Sequence, residues 1–159
     1  MRAQRQRGFV LIAMAASMFL LLAVIGLVFD LGRIYIARNE AQMFTDAASM
    51  AAAIHLDGTA AGLAQARAAV ARLPNRWNLG TQDFKNVTVE FSADGRQFDA
   101  DPKEPAAVRY ARVSAPDNQV EIMFLRAVGG PDWFTVPARA VASTSTLAGS
   151  SAKSVRLTE

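Results

Sequence analysis

The chain has 159 residues, and about 130 of them lie outside a single long apolar segment, which is enough for one small domain but not for two. It contains no cysteine, which excludes disulfides, thiolate zinc sites and thiol nucleophiles. Its net charge is only +3, and much of the basic excess lies at the N-terminus, so the charge indicates membrane topology rather than nucleic-acid binding.

The N-terminal segment is predicted to be a transmembrane helix over residues 9–29, bounded by Phe9 and Phe29. No charged side chain falls between these two residues. Three arginines precede them: Arg2, Arg5 and Arg7. A helix needs about 20 apolar residues to cross a hydrocarbon core of about 30 Å. Because cytoplasmic segments carry the excess of basic residues, we expect a cytoplasmic tail over residues 1–8 and an extracytoplasmic location for everything after the span.

A cleaved secretory signal is the nearest alternative to a retained anchor. Such signals have an apolar region of about 7–15 residues followed by a small-residue cleavage site. Here the apolar run is longer, and a helical composition continues directly over residues 31–56. The pattern therefore favours a helix that stays in the membrane.

Residues 30–57 are predicted to continue the same helix outside the membrane. The stretch 30–56 has no proline and only one glycine, Gly32, and alanine dominates its second half. The whole helix would be about 50 residues and about 70 Å long. We expect Ala48, Ala51 and Ala52 to pack closely, either against another helix in an oligomer or against the chain's own domain.

Residues 58–145 are predicted to form the extracytoplasmic domain, and the fold class is α+β. Thr59 is expected to cap a second helix that ends near residue 73. Alternating patterns predict a small antiparallel sheet of about four strands, over residues 87–92, 97–99, 107–114 and 134–144. The pair Asp94-Gly95 is a strong hairpin signal between the first two strands.

The C-terminal part of the domain is predicted to contain one short helix. Asn118 followed by Glu121 has the spacing of a capping box, and Gly129 would end the helix. The neighbouring Trp133 and Phe134 are expected to pack in the core rather than to form a partner-contact patch. Residues 146–159 are predicted to be a flexible tail.

A specific pattern follows the apolar segment: Asp30-x-Gly32-Arg33-x-Tyr35-x-x-Arg38, then Gln42, then Asp46-Ala47-Ala48-x-x-Ala51-Ala52-Ala53. Together with the basic N-terminus and the apolar span, it resembles the Tad (tight adherence) Flp pilus-assembly proteins of the TadE/TadG-like family. A weaker resemblance extends over residues 87–90, 95–98, 106–109, 123–129 and 136–142.

This resemblance implies a pilin-like, single-pass protein of the bacterial inner membrane. Its N-terminus would be cytoplasmic and its domain periplasmic, and its partners would be inner-membrane lipid and other pilus-assembly proteins. The resemblance implies no reaction, no cofactor and no nucleic acid. Some larger relatives carry a von Willebrand A-like domain with a metal site, but this chain is too short for one, so no metal is implied.

The juxtamembrane residues of the pattern are the candidate partner-docking residues: Asp30, Gly32, Arg33, Tyr35, Arg38, Gln42 and Asp46. The simpler interpretation is a membrane-interface belt, with tyrosine among the headgroups and Arg33 paired with Asp30 or with lipid phosphates. The stripe that includes Gln42 would then be a solvated or domain-facing side of the helix. The two interpretations are compatible.

A possible processing junction lies at Gly8 and Phe9. The sequence Arg7-Gly8-Phe9 is similar to the basic-Gly-Phe junction that prepilin peptidases cut. Pilins usually have a glutamate five residues into the mature chain, whereas this chain has Ala13. The difference argues against the packing of a major pilin and leaves cleavage after Gly8 open.

Catalytic signatures are absent from the sequence, which has no nucleophile elbow, Walker loop or dinucleotide fingerprint. His55 and Asp57 are two residues apart, so on a helix they would point in different directions. We therefore predict a non-enzymatic component of Tad/Flp-type pilus assembly that acts through protein contacts. The alternative is a membrane-tethered, extracytoplasmic module that binds a ligand or an envelope polymer.

Overall fold

The computed structural model describes residues 3–146 and 153–158 of the chain. Part of the predicted cytoplasmic tail, including Arg2, and residues 147–152 of the predicted flexible tail lie outside the described residues. The described part consists of two helices and three small antiparallel sheets, so the α+β class is confirmed.

The first helix, α1, is continuous over Ala3–Ile54 and has 52 residues. It thus includes both the predicted span and its extension. The second helix, α2, covers Ala60–Ala71. Thr59 caps it as predicted, because its hydroxyl oxygen accepts a hydrogen bond from the Gly62 N–H at 3.0 Å.

The strands, in chain order, are β1 (Arg76–Trp77), β2 (Gln82–Asp83), β3 (Thr88–Ser92), β4 (Tyr110–Ala115), β5 (Gln119–Glu121), β6 (Trp133–Thr135), β7 (Ala138–Thr146) and β8 (Lys153–Thr158). The main sheet is antiparallel in the order β3-β4-β7-β8. Strands β1 and β2 form one two-stranded ribbon, and β5 and β6 form another.

The outer half of α1 packs against the main sheet through small side chains. Ala48 and Ala52 are fully buried together with Phe91, Val113 and Ala142. The alternation predicted for the strands explains this contact, since every second residue of β4 is buried. Ala51 is only partly buried, whereas Ala53 is fully buried, so the close packing predicted for Ala51 is wrong. Ala51 lies on the side of the helix, between the face that the sheet covers and the exposed face.

A second cluster lies closer to the membrane end of the domain. It contains Ala37 and Ala41 of α1 together with Trp77 and Phe84. The Trp77 and Phe84 rings stack with centroids 5.4 Å apart, and Phe44 stacks on Phe84 at 4.3 Å. The alanine side of α1 is therefore covered by the chain's own domain along its outer half.

Two of the predicted elements differ from the structure. The Asp94-Gly95 turn is present, with Gly95 at a φ of +73°, but the return strand over 97–99 is reduced to one bridge between Phe91 and Asp99. The predicted short helix from Asn118 is wrong. Its first part is strand β5, and its second part is a 3-10 turn at Leu125–Val128 that ends, as expected, at Gly129.

Asn118 explains the second difference. Its side-chain amide is buried and donates to the carbonyl oxygens of Ala115 at 2.8 Å and Val136 at 3.2 Å. It therefore ties the end of β4 to the start of β7 rather than capping a helix. A capping-box spacing is also compatible with this role, because asparagine bonds equally well to backbone groups in loops.

The C-terminal segment also differs from the prediction. Proline has no N–H for the strand ladder, and the predicted strand over 134–144 is divided at Pro137 into β6 and β7. Lys153–Thr158, predicted to be part of a flexible tail, forms the edge strand β8. Trp133 and Phe134 are 51% and 47% exposed, so their predicted core packing is wrong.

Candidate docking surface on the first helix

The outer half of α1 has an open face opposite its covered face. Gly32, Ile36, Asn39, Met43, Ala47, Met50 and Ile54 are all exposed. At 100° per residue they fall within an arc of about 80° on one side of the helix. Met43 and Ile54 are 71% and 56% exposed. We call these seven residues the open stripe.

The open stripe continues into the apolar part of the helix. Among the described residues, Gly8–Ile54 is a helix long and apolar enough to cross a membrane. Met18, Ile25 and Phe29 lie on the same side as the open stripe and are more than half exposed. This side of α1 is thus exposed and largely apolar along both halves of the helix, and at Phe29 it also contacts the Phe124 ring of the domain.

Asp30 lies on the covered face, where the span ends. Its carboxylate is only 2% exposed and accepts three backbone hydrogen bonds from a loop that is more than 90 residues away in the sequence. The Met123 N–H donates at 3.0 Å, the Phe124 N–H at 2.8 Å and the Leu125 N–H at 2.7 Å. These donors open the 3-10 turn, so one carboxylate satisfies N–H groups that have no partner within that turn.

The contacts of Asp30 favour its charged form. Burial raises the pKa of Asp30, but the hydrogen bonds from Leu125, Met123 and Phe124, together with the positive charge of Arg33, outweigh burial. The pKa of Asp30 therefore lies below its usual value of 3.8. The carboxylate is a fixed negative charge that holds the loop on the helix.

Aromatic and glycine contacts complete this junction. The rings of Phe29 and Phe124 meet edge to face, with centroids 5.4 Å apart. A Cβ atom at Gly26 would lie 2.7 Å from the Cβ atom of Phe124, so only glycine allows the loop to approach this closely. Arg33 donates to the Glu121 carbonyl oxygen at 3.0 Å, one turn further out.

The predicted docking residues therefore divide into three groups. Asp30 and Arg33 bind the chain's own domain, whereas Gly32, Tyr35 and Arg38 are exposed, with Tyr35 at 67%. The remaining two, Gln42 and Asp46, are hydrogen-bonded to each other at 2.8 Å, and Gln42 also donates to the Arg139 carbonyl oxygen at 3.4 Å. The seven residues of the pattern do not form one surface.

The sequence analysis missed the exposed apolar residues on the outer half of α1. Met43, Met50 and Ile54 recur at helical spacing, and this signal was available in the sequence. It was overlooked because a wholly apolar or alanine-rich helix has no polar face for contrast. The role of Phe124 and Leu125 had no local signal, since it depends on a contact with Asp30 across the fold.

Other candidate sites have simple structural roles. Asp57, considered beside His55, accepts hydrogen bonds from the Thr59 N–H at 2.9 Å and the Thr59 hydroxyl at 2.7 Å, next to the start of α2. Over residues whose placement is described, no group of three His, Asp or Glu side chains could hold a metal ion.

Comparison with known proteins gives one match. Residues 8–72 match the Tad family model, whose description is "Putative Flp pilus-assembly TadE/G-like". The match runs from the start of the apolar span to the end of α2, and the weaker resemblance over the β region lies outside it. No curated protein and no solved structure matches the chain. Residues 8–72 are therefore similar to the Flp pilus-assembly TadE/G-like family, and over this segment the resemblance deduced from the sequence is confirmed.

Proposed function

We propose that the protein is a non-enzymatic, pseudopilin-like component of Tad/Flp-type pilus assembly that binds other subunits through the open stripe of α1. In this proposal residues 1–8 are cytoplasmic, residues 9–29 cross the inner membrane, and the domain lies on the periplasmic side. The observation that carries it is the open stripe itself, a largely apolar helix face that is exposed outside the apolar segment.

The composition of the open stripe favours a helical partner. The seven residues follow one another at spacings of three or four, and they comprise four large apolar residues, the two small residues Gly32 and Ala47, and the polar Asn39. Large side chains at this spacing fit the grooves of a second helix, and small residues allow its backbone to come near. Exposed apolar residues that form a contiguous patch usually mark an interaction site. We infer that the partner is the membrane-proximal helix of another pilus-assembly subunit.

The covered face supports the same function by giving the domain a fixed position. Buried alanines, the carboxylate of Asp30 and the Arg33 contact hold the domain on one side of α1. An oligomer through the buried alanines would compete with the chain's own sheet. The open stripe is therefore the surface that α1 offers to a neighbouring helix.

Site-specific photocrosslinking in cells that express a complete Tad system would test this proposal. A photoreactive residue is placed at Met43 on the open stripe and, as a control, at Ala64, which is exposed on α2. We expect Met43 to give adducts with an identified pilus-assembly subunit and Ala64 to give none. The absence of such adducts at Met43 would contradict the proposal.

A matched pair of substitutions adds a quantitative test. Ala47→Glu places a charge on the open stripe, and Ala64→Glu places the same charge at an exposed helical position elsewhere. An unpaired carboxylate in an apolar contact is costly, so we expect Ala47→Glu to reduce co-purification of the crosslinked subunit about tenfold or more. Equal recovery with the two variants would count against the open stripe.

A groove in the domain supports the alternative, a tethered binding module. The groove has a volume of about 960 Å³ and lies beside β4 and β7. Arg96, Arg112 and Arg139 line it together with Asp46 and Asp94. Arg112 already forms an ion pair with Glu90 at 2.8 Å, which leaves fewer free cations for a ligand. Purification of a monomer that retains a glycan or another small ligand, without pilus subunits, would favour this alternative.

A further inference from the structure

An apolar groove lies between the inner half of α1 and the loop that Asp30 holds. It has a volume of about 360 Å³. One wall consists of five apolar residues of α1 between Phe19 and Leu27, and the other consists of Phe124, Leu125 and Ala127. The domain thus reaches back along the helix, beyond Asp30 and towards the N-terminus.

The position of the groove along α1 indicates how deeply the groove would lie in the membrane. At 1.5 Å per residue, Ala23 lies about 10 Å and Phe19 about 16 Å from Asp30, measured towards the N-terminus. Both residues belong to the apolar segment that is predicted to span the membrane. A groove lined by this segment lies at the level of the hydrocarbon.

Six backbone N–H groups of the loop have partners within the protein, as contact with an apolar medium requires. In lipid, each N–H group needs a partner within the protein. The N–H groups of Met123, Phe124 and Leu125 donate to Asp30. Those of Ala127, Gly129 and Gly130 donate to carbonyl oxygens of the loop, at 3.0, 3.1 and 2.9 Å.

The side chains of the loop are also compatible with contact with lipid. Met123 and Phe124 are 55% and 47% exposed, although both are apolar. The one charged side chain over residues 123–127, Arg126, is 57% exposed but is paired, with its guanidinium nitrogens 3.6 Å from Asp132 and 4.0 Å from Glu121. No unpaired charge therefore opposes contact of the loop with lipid.

Exposed aromatic residues lie just beyond the level of the groove, on the side away from the N-terminus. Trp133 pairs with Glu121, whose carbonyl oxygen accepts from Arg33 one turn beyond Asp30. Trp133 and Tyr35 are 51% and 67% exposed. Tryptophan and tyrosine are enriched at the level of lipid headgroups, which is where these two residues would then lie.

We propose that residues 123–127 are inserted into the outer leaflet of the membrane that α1 crosses, and that lipid acyl chains fill the groove between this loop and α1. The protein is then held in the membrane by two elements, the helix and the loop. The domain has a fixed height and orientation relative to the bilayer. This proposal depends on the span of α1 but not on the identity of the protein partner.

Spin labelling of the full chain tests the insertion, since the native sequence has no cysteine and a single introduced one is labelled uniquely. Ala127→Cys and Met123→Cys probe the loop, because both positions are exposed. Leu20→Cys is the control in lipid, and Arg96→Cys, in the exposed turn of the domain, is the control in water. The labelled proteins are placed in vesicles of phosphatidylethanolamine and phosphatidylglycerol.

The measurement compares the accessibility of each label to oxygen, which dissolves in lipid, and to a water-soluble nickel complex. We expect both loop labels to resemble the Leu20→Cys label, with oxygen favoured, and the Arg96→Cys label to show the reverse. Nickel-favoured labels in the loop would overturn the proposal. Protection from both reagents would also overturn it, and spin–spin broadening would then identify a second copy as the occupant. A nickel-favoured label at Leu20→Cys would overturn it together with the anchor.

Discussion

The two faces of α1 are built from different residues for different neighbours. The covered face consists mainly of small residues, with glycine, alanine, Thr45, Ser49 and one aspartate, so that the sheet and a distant loop can come close to the helix axis. The open face carries Ile36, Met43, Met50 and Ile54, which extend away from the chain's own domain. Small buried residues on α1 thus mark the contact with the sheet, and large exposed residues mark the face that the sheet does not cover.

The largest effect is expected for Asp30→Ala. The substitution leaves three N–H groups without an acceptor at the outer end of the apolar segment, and we expect docking of the loop to weaken by about 2–4 kcal/mol. Hydrogen exchange at residues 123–125 should accelerate about 30-fold or more. Asp46→Ala, at the edge of the open face, is the control and should change stability by less than about 0.5 kcal/mol. Equal effects of the two substitutions would mean that Asp30 does not hold the loop.

The alanines of the two faces provide the second prediction. Ala52 is fully buried against the sheet, so Ala52→Leu should overpack this contact and destabilise the domain by about 1–3 kcal/mol. Ala47→Leu, on the open stripe, should change the free energy of unfolding by less than about 0.5 kcal/mol. Denaturant unfolding in mild detergent measures both. If Ala52→Leu did not lower the free energy of unfolding, the sheet would not lie on α1 as described.

Gly26 and Gly32 provide a further comparison of the covered face and the open face of α1. Gly26→Ala would place a Cβ atom 2.7 Å from Phe124, and we expect it to displace the loop at a cost of about 1–2 kcal/mol. Gly32 has nothing within 4 Å, so Gly32→Ala should stabilise the helix by about 0.5–1 kcal/mol. Thermal unfolding of the two variants should therefore shift in opposite directions. Shifts of the same sign would contradict the assignment of the two faces.

The smallest effect on stability near neutral pH is expected from the titration of the carboxyl groups of Asp30 and Asp94. The pKa of Asp30 is lowered from 3.8, so its contribution is present above pH 3.8 and is lost as the pH falls through the lowered value. The N–H groups of Arg96 and Gln97 and the Ser92 hydroxyl lower the pKa of Asp94 to about 2, and the turn should lose this support only near that pH. NMR titration of the Leu125 and Gln97 amides would follow the two carboxyls. An amide midpoint at or above pH 3.8 for Leu125 would contradict the contacts of Asp30.

Elements with a strong local signal were predictable. The continuous α1, the Thr59 cap, the Asp94-Gly95 turn and the stop at Gly129 each depend on residues within a few positions of one another. The segment around Asn118 was not predictable, because its capping-box spacing is equally compatible with a strand end. Strand β8 was missed because its order depends on pairing with β7, which no local pattern records.

The sequence by itself determined that the chain has one long apolar helix, an α+β domain after it and a pattern of the Flp pilus-assembly type. These features follow from hydrophobicity, helix propensity and turn chemistry, which act over short distances along the chain. Only the tertiary structure decided which side of α1 the domain covers, and that Asp30 binds a loop rather than a partner. The physical reason is that a carboxylate or an alanine has the same local preferences on either face. Its role is fixed by the groups that folding brings to it.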